Sequence, residues 1–196
     1  MILYDISRDI LSTEVYPGDP KPVVSPLQSI DDGDSCNLSQ VDFCLHTGTH
    51  IDAPFHFWAD GATIDKVRLS AFYGKCTVFS FSGVITGEDM ERIIPYCRKR
   101  IIIHGKPKAY ISYSAAFVLA RSGVYLVGTD SISVAPEYEE EKTHIELARA
   151  GIAVLEGLEL SGIKDGDYML CAFPVKFAGL EAAPCRAVLI EQEKGF

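Results

Sequence analysis

Eight short runs of β-branched, aromatic and aliphatic residues, bounded by Gly, Pro and Asp, limit the architectures open to this chain. They fall at residues 2–6, 41–45, 76–81, 100–103, 125–128, 152–155, 168–172 and 187–190. Several are almost continuously apolar, a pattern that suits strands covered on both faces. Helical signals lie between the later runs. Thr86, with Glu88 and Asp89, opens a helix expected to reach about Cys97. Ser112 and Ser114 precede AAFVLARSG, which Gly123 stops, and Thr143 is read as the cap of a helix that Gly151 ends. Residues 158–162 are read as a further short helix, and residues 31–35 as an exposed loop. Strand–helix alternation after residue 86 predicts an α/β fold in a single domain over residues 1–196.

The chain carries 27 acidic and 18 basic residues, a formal charge of −9. That balance argues against nucleic acid and against an anionic membrane surface. The opening MILYDISRDI lacks a basic segment followed by a long apolar run, and no stretch approaches the roughly 18 apolar residues of a membrane span, so a cytoplasmic location is expected. The six cysteines form no C-x-x-C pair and read as free thiols in a reducing compartment.

Chemistry concentrates at residues 46–56, HTGTHIDAPFH, which hold three of the five histidines. Gly48 and Pro54 argue against a helix here. Read as extended chain, His46, Gly48, His50 and Asp52 share one face, because side chains alternate with period two. Imidazole and carboxylate donors without a thiolate suit zinc, manganese or iron, and three protein ligands that leave a position open are the pattern of a catalytic metal. The competing interpretation of the same residues is a hydrogen-bonded polar turn. His56 keeps the parity of the cluster, and one irregular turn after Pro54 would aim it at the same place. His144 lies on a predicted helix and Glu156 ends a predicted strand. From the residues alone Glu156 reads equally as a surface carboxylate, and His104 reads as an ordinary polar residue.

HTGTHIDAPFH resembles the H-x-G-T-H-x-D-x-P-x-H signature of the metal-dependent cyclase family, which includes bacterial kynurenine formamidases and isatin hydrolase-like enzymes. The resemblance extends along nearly the whole chain. YPGD at residues 16–19 looks like the family's W-P-G-D turn, and GTDSIS at 128–133 like its G-x-D-x-x-S segment. His144 followed by RAGIAVLEGL with Glu156, and PVKF through PCRA at 174–187, look like the later motifs.

This resemblance implies a layered β/β/α fold of the swivelling type and a homodimer or homotetramer. It also implies two divalent ions, zinc or manganese. His46, His50 and Asp52 would hold one; Asp52, His144 and Glu156 would hold the other. His56 would be the general acid/base. The implied activity is hydrolysis of a small amide, most concretely an arylformamide such as N-formylkynurenine, giving the amine and formate. Hydrolysis of a cyclic amide of the isatin kind and a non-catalytic metal- or ligand-binding role are the alternatives. Tyr16 stands where the formamidases carry a tryptophan thought to meet the substrate. It keeps an aromatic face and changes its size and polarity. Phe55, Phe57, Trp58 and Phe72 are further candidates for an apolar wall, with ordinary core packing as the alternative, and Asp130 is a candidate for orienting a ligand imidazole or for forming the turn after its strand.

Overall fold

The computed structural model describes residues 1–191. Among these residues a mixed sheet of nine strands carries the chain. Its centre is a parallel block: β5 (Tyr73–Ile85), β6 (Arg100–Ile111), β7 (Leu126–Thr129) and β8 (Ala153–Glu156). α1 (Gly87–Ile93), α2 (Tyr113–Ser122) and α3 (Glu140–Arg149) supply the crossovers. Antiparallel strands extend both sides. β9 (Gly166–Cys171), β11 (Val188–Glu191) and β1 (Ile2–Asp5) follow β5, while β4 (His50–Asp52) and β10 (Ala182–Pro184) follow β8. The remaining pair, β2 (Val23–Gln28) and β3 (Leu38–Asp42), forms a separate hairpin in which every strand residue is exposed.

The central strands are apolar on both faces because both are covered. Ile101, Ile103, Val127 and Val154 pack with Ala115, Ala116, Leu119 and Leu147 of the helices. Ile102, Leu126, Ala153 and Leu155 pack on the opposite face with Ile51, Ala183, Leu170 and Phe72. The sheet therefore lies between a helical layer and its own outer strands and loops. Phe72 is 1% exposed in that second core, which removes it from the candidate substrate wall.

α1 and α2 begin as their sequences direct. Thr86 caps α1 in a reciprocal capping box with Asp89. Ser112 caps α2, and Gly123 ends it in the left-handed conformation. Three expectations are corrected. Thr143 is not a cap but a fully buried residue inside α3, which starts at Glu140. Pro136 and the acidic run after it are the real start signal, since carboxylates favour the positive end of a helix. Residues 158–162 form no helix; Leu158 N–H donates to Thr129 O and Glu159 N–H to Ile6 O, so the segment is threaded between neighbours. Finally, β3 ends at Asp42 and His46 lies in a turn, so the extended reading of residues 46–52 holds only for His50–Asp52. Gly48, at φ +71°, turns the chain between them. No described helix is long and apolar enough to cross a membrane.

Candidate metal centre

Strand register builds half of the site. β4 runs antiparallel to β8 with His50 opposite Glu156 and Asp52 opposite Val154. Alternation puts His50, Asp52 and Glu156 on the helix-facing side, while Ile51 and Leu155 enter the opposite core. α3 crosses that side with Thr143, His144, Leu147 and Ala148 buried, which directs His144 at Glu156. The turn at 45–49 returns His46 to Asp52, and a 3-10 turn at Pro54–His56 swings His56 to the cavity wall.

Two donor groups result. The ligand atoms of His46, His50 and Asp52 lie within 4.8 Å of one another, as do those of Asp52, His144 and Glu156. Donors about 2.1 Å from one tetrahedral ion lie roughly 3.4 Å apart, and the closest pairs here are already at 2.9 to 3.4 Å. Asp52 belongs to both. Its Oδ1 is 2.9 Å from His46 Nδ1 and 3.3 Å from His50 Nε2. His144 Nε2 is 3.4 Å from Glu156 Oε1, which also accepts the Val134 N–H at 2.7 Å.

Whether these residues fit a cation is decided by the far side of each ring. His50 Nδ1 is 3.0 Å from Gly48 O, and His144 Nδ1 is 2.9 Å from Glu140 O. A carbonyl only accepts, so each Nδ1 carries the proton. A neutral ring then presents the lone pair of Nε2 to carboxylate oxygens. For His50 this leaves Nε2 and Asp52 Oδ1 buried without a hydrogen-bond partner. Two acceptors face each other, and only a positive charge between them resolves the conflict. That charge is either a proton on the ring or a metal ion bridging the gap.

The protonation balance of the ion-free chain follows. Burial pushes the His50 pKa down, but the charge and contact of Asp52, helped by Glu156, outweigh it and raise it to about 9. Burial also opposes the charge on His144, and Glu156 overcomes it, again to about 9. Burial would raise the Asp52 pKa, but the His50 charge and the contacts with both histidines hold it well below the usual carboxylate range. His56 differs. Burial dominates there and lowers its pKa, so the ring is neutral near pH 7. It stacks on His46 at 4.2 Å between centroids.

The cavity over these groups holds about 240 Å³ and is lined by both donor sets together with His56, Tyr16, Asp19, Phe57, Ile132 and Glu140. Tyr16 lies in the turn closed by Asp19 N–H to Tyr16 O, and its hydroxyl donates to Glu140 Oε2 at 2.7 Å. That bond and partial burial push its pKa up to about 12. Phe57 stacks on His144 at 4.5 Å.

Asp130 does not orient a ligand imidazole: its carboxylate accepts from Gly105 N–H and lies 3.9 Å from His104. Backbone carbonyls do that work instead. Asp19, Ile132, Glu140 and Glu181, which lies 3.7 Å from His46 Nε2, were not singled out from sequence. Asp19 and Ile132 carry a signal, as the last residue of the YPGD turn and within the GTDSIS segment; Glu140 and Glu181 carry none.

A layered α/β fold with a buried histidine–carboxylate cluster at a sheet edge defines a candidate metalloprotein. Comparison with known proteins places it further. The chain belongs to the family described as putative cyclase, which matches residues 4–136. A solved structure described as a potential metal-dependent hydrolase with cyclase activity is 28% identical, with a TM-score of 0.83 and 98% of each chain covered. A predicted metal-dependent hydrolase from Bacillus stearothermophilus is 27% identical, with a TM-score of 0.79 over 96% of this chain and 97% of that one. Isatin hydrolase A from Labrenzia aggregata, bound to benzyl benzoate, shares the fold at 17% identity, with a TM-score of 0.80 over 97% of this chain and 94% of that one.

Proposed function

We propose that this chain is a metal-dependent hydrolase of a small amide, most concretely an arylformamidase. The observation that carries the reading is the convergence of two histidine–carboxylate donor groups that share Asp52, with His50 Nε2 and Asp52 Oδ1 buried and making no well-formed hydrogen bond at the floor of a cavity. His46, His50 and Asp52 would hold one divalent ion, and Asp52, His144 and Glu156 a second, with zinc or manganese suiting the donor set. Bound there, the metal supplies a Lewis acid for the substrate carbonyl and a water of lowered pKa.

The chain's own residues supply the remainder. His56, kept neutral by burial, takes a proton from the attacking water on a free ring nitrogen as the new C–O bond forms. It returns that proton to the departing nitrogen as the C–N bond breaks, giving a carboxylic acid and an amine. Phe57 and Tyr16 line the cavity and give it an aromatic wall for an aryl group. The isatin hydrolases of the same fold keep cyclic amides as the second reading. Self-assembly belongs to the same proposal, supported by Val23, Val24, Leu27, Leu38 and Val41, all exposed on the β2–β3 hairpin.

The test is elemental analysis of purified protein together with hydrolysis of N-formylkynurenine, simple formanilides and isatin, with and without chelator. One or two ions per chain with chelator-sensitive formanilide turnover, lost in His56→Ala without loss of metal, supports the reading. Turnover confined to isatin would transfer it to the cyclic amides. Failure to take up metal on reconstitution would overturn it.

A further inference from the structure

The cavity wall is graded in depth and in charge. His50, Asp52, His144 and Glu156 form its floor, each at most 4% exposed. Tyr16, Asp19, Phe57, Ile132 and Glu140 form a half-buried rim. Asp52 and Glu156 are committed to the histidines below. Asp19 and Glu140 belong to neither donor group.

Among the described residues, no lysine or arginine lines this cavity. The nearby candidates are engaged elsewhere. Arg8, beside a small adjoining hollow, donates to Leu158 O at 3.1 Å and to Asp130 O at 2.5 Å. Lys142 pairs with Glu139 at 2.9 Å. Glu140 uses Oε2 to accept the Tyr16 hydroxyl, which leaves Oε1 as a further acceptor. The rim therefore pairs two carboxylates with two aromatic rings and offers no cationic partner. The partnerless buried acceptors at the floor mark the same cavity as built for a ligand.

We propose that Asp19 and Glu140 select the substrate by charge: an amide whose acyl end reaches the histidine floor and whose far end carries an ammonium group, with an apolar body between them. This rests on the hydrolase reading above. An ammonium at the rim gains two carboxylates beside the aromatic rings of Tyr16 and Phe57 that line the same wall. A carboxylate at the same end meets like charge and no compensating donor. The substrate class is thus an amine-bearing amide, and acids of the same shape are excluded at the mouth of the cavity.

The experiment uses metal-loaded protein and benzohydroxamates, whose shared head group takes the metal so that only the tail varies. Aminomethyl, hydroxymethyl and carboxylate tails are compared at the meta and para positions by calorimetry. The aminomethyl probe is expected to bind about tenfold more tightly than the hydroxymethyl one, and that about tenfold more tightly than the carboxylate. Asp19→Asn and Glu140→Gln should each reduce the amine-to-carboxylate ratio at least about threefold, with the hydroxymethyl affinity and the metal content maintained. Equal affinities, tightest binding of the carboxylate, an unchanged ratio in both variants, or loss of metal in Asp19→Asn would each overturn the assignment. Formanilide turnover without charge preference would remove this inference and leave the hydrolase. Failure of every hydroxamate to bind would remove both.

Discussion

Gly157 follows Glu156 of the histidine–carboxylate cluster and approaches the turn before His50, so its replacement by alanine tests how the two halves of the site are joined. Its φ is +66°, and an added Cβ would lie 2.2 Å from Gly48 O and 2.9 Å from Gly48 C. The left-handed backbone alone costs a side-chain-bearing residue roughly 1–2 kcal/mol. The contact is with backbone rather than a movable side chain, and forced shifts of this kind add roughly 1–3 kcal/mol. Alanine recovers about 0.4–1 kcal/mol by stiffening the unfolded chain. The net loss is about 2–4 kcal/mol, a fall in Tm of roughly 5–15 °C for a chain of this size. Gly151→Ala is the control, because φ is +70° there and nothing lies within 4 Å. It should lose only a few degrees. Gly48 O also accepts from His50 Nδ1 at 3.0 Å, so Gly157→Ala pushes on the atom that orients the His50 ring. Metal affinity should fall about 10- to 100-fold in Gly157→Ala and stay unchanged in Gly151→Ala. Calorimetric melts with zinc titrations read both effects. If the two variants melt within about 2 °C of each other and bind zinc equally, the close approach of these turns does not support the site, and the reasoning fails.

Other consequences follow from the same geometry. Asp52→Asn should bring bound metal from up to two ions per chain to near zero by elemental analysis, because Asp52 serves both donor groups; retention of one full ion would show that the groups are independent. His56→Gln should lower kcat by about 10²- to 10⁴-fold with metal content unchanged, and a loss of metal instead would make His56 a ligand. In the metal-free chain, His50 and His144 hold their protons up to about pH 9, against 6.5 for an ordinary histidine. The folded state then binds more protons than the unfolded state between these values, so denaturant melts should show stability falling as pH rises through that window, while rising stability would reverse the assigned protonation. Val24→Lys with Val41→Glu replaces two paired apolar residues by opposite charges, and sedimentation should show a smaller assembly than the parent chain forms.

Much of the fold is readable from local patterns, because its strands and first two helices carry their own start and stop chemistry. Thr86, Ser112 and Gly123 act through neighbours a few residues away, and they act as their sequences direct. Thr143 looks like a cap in the sequence, yet α3 starts at Glu140. The Thr143 hydroxyl is instead buried within the helix, and the acidic run before it carries the true signal. For the site, alternation describes His50 and Asp52 correctly but not His46, which a glycine turn brings round. Glu156 reaches the cluster through strand pairing across more than a hundred residues, which no local pattern encodes. Glu140 sits in a run of four acidic residues within 137–141, and only the docking of α3 makes it a cavity wall.

The β2–β3 hairpin has a consequence for how the molecule opens. Its strands pair only with each other, with a register shift between Pro26 and Gln28, and both of its faces meet water. An isolated pair of strands is marginally stable in water, whereas β5 and β6 are held between two cores. In the free chain, amide protons of the hairpin should therefore exchange through local openings, while those of the β5–β6 ladder wait for global unfolding. In the unassembled chain a protease should find the hairpin tip near Asp31 while the histidine–carboxylate cluster is still intact, so the first cut there reports on the arm and carries no information about the stability of the site.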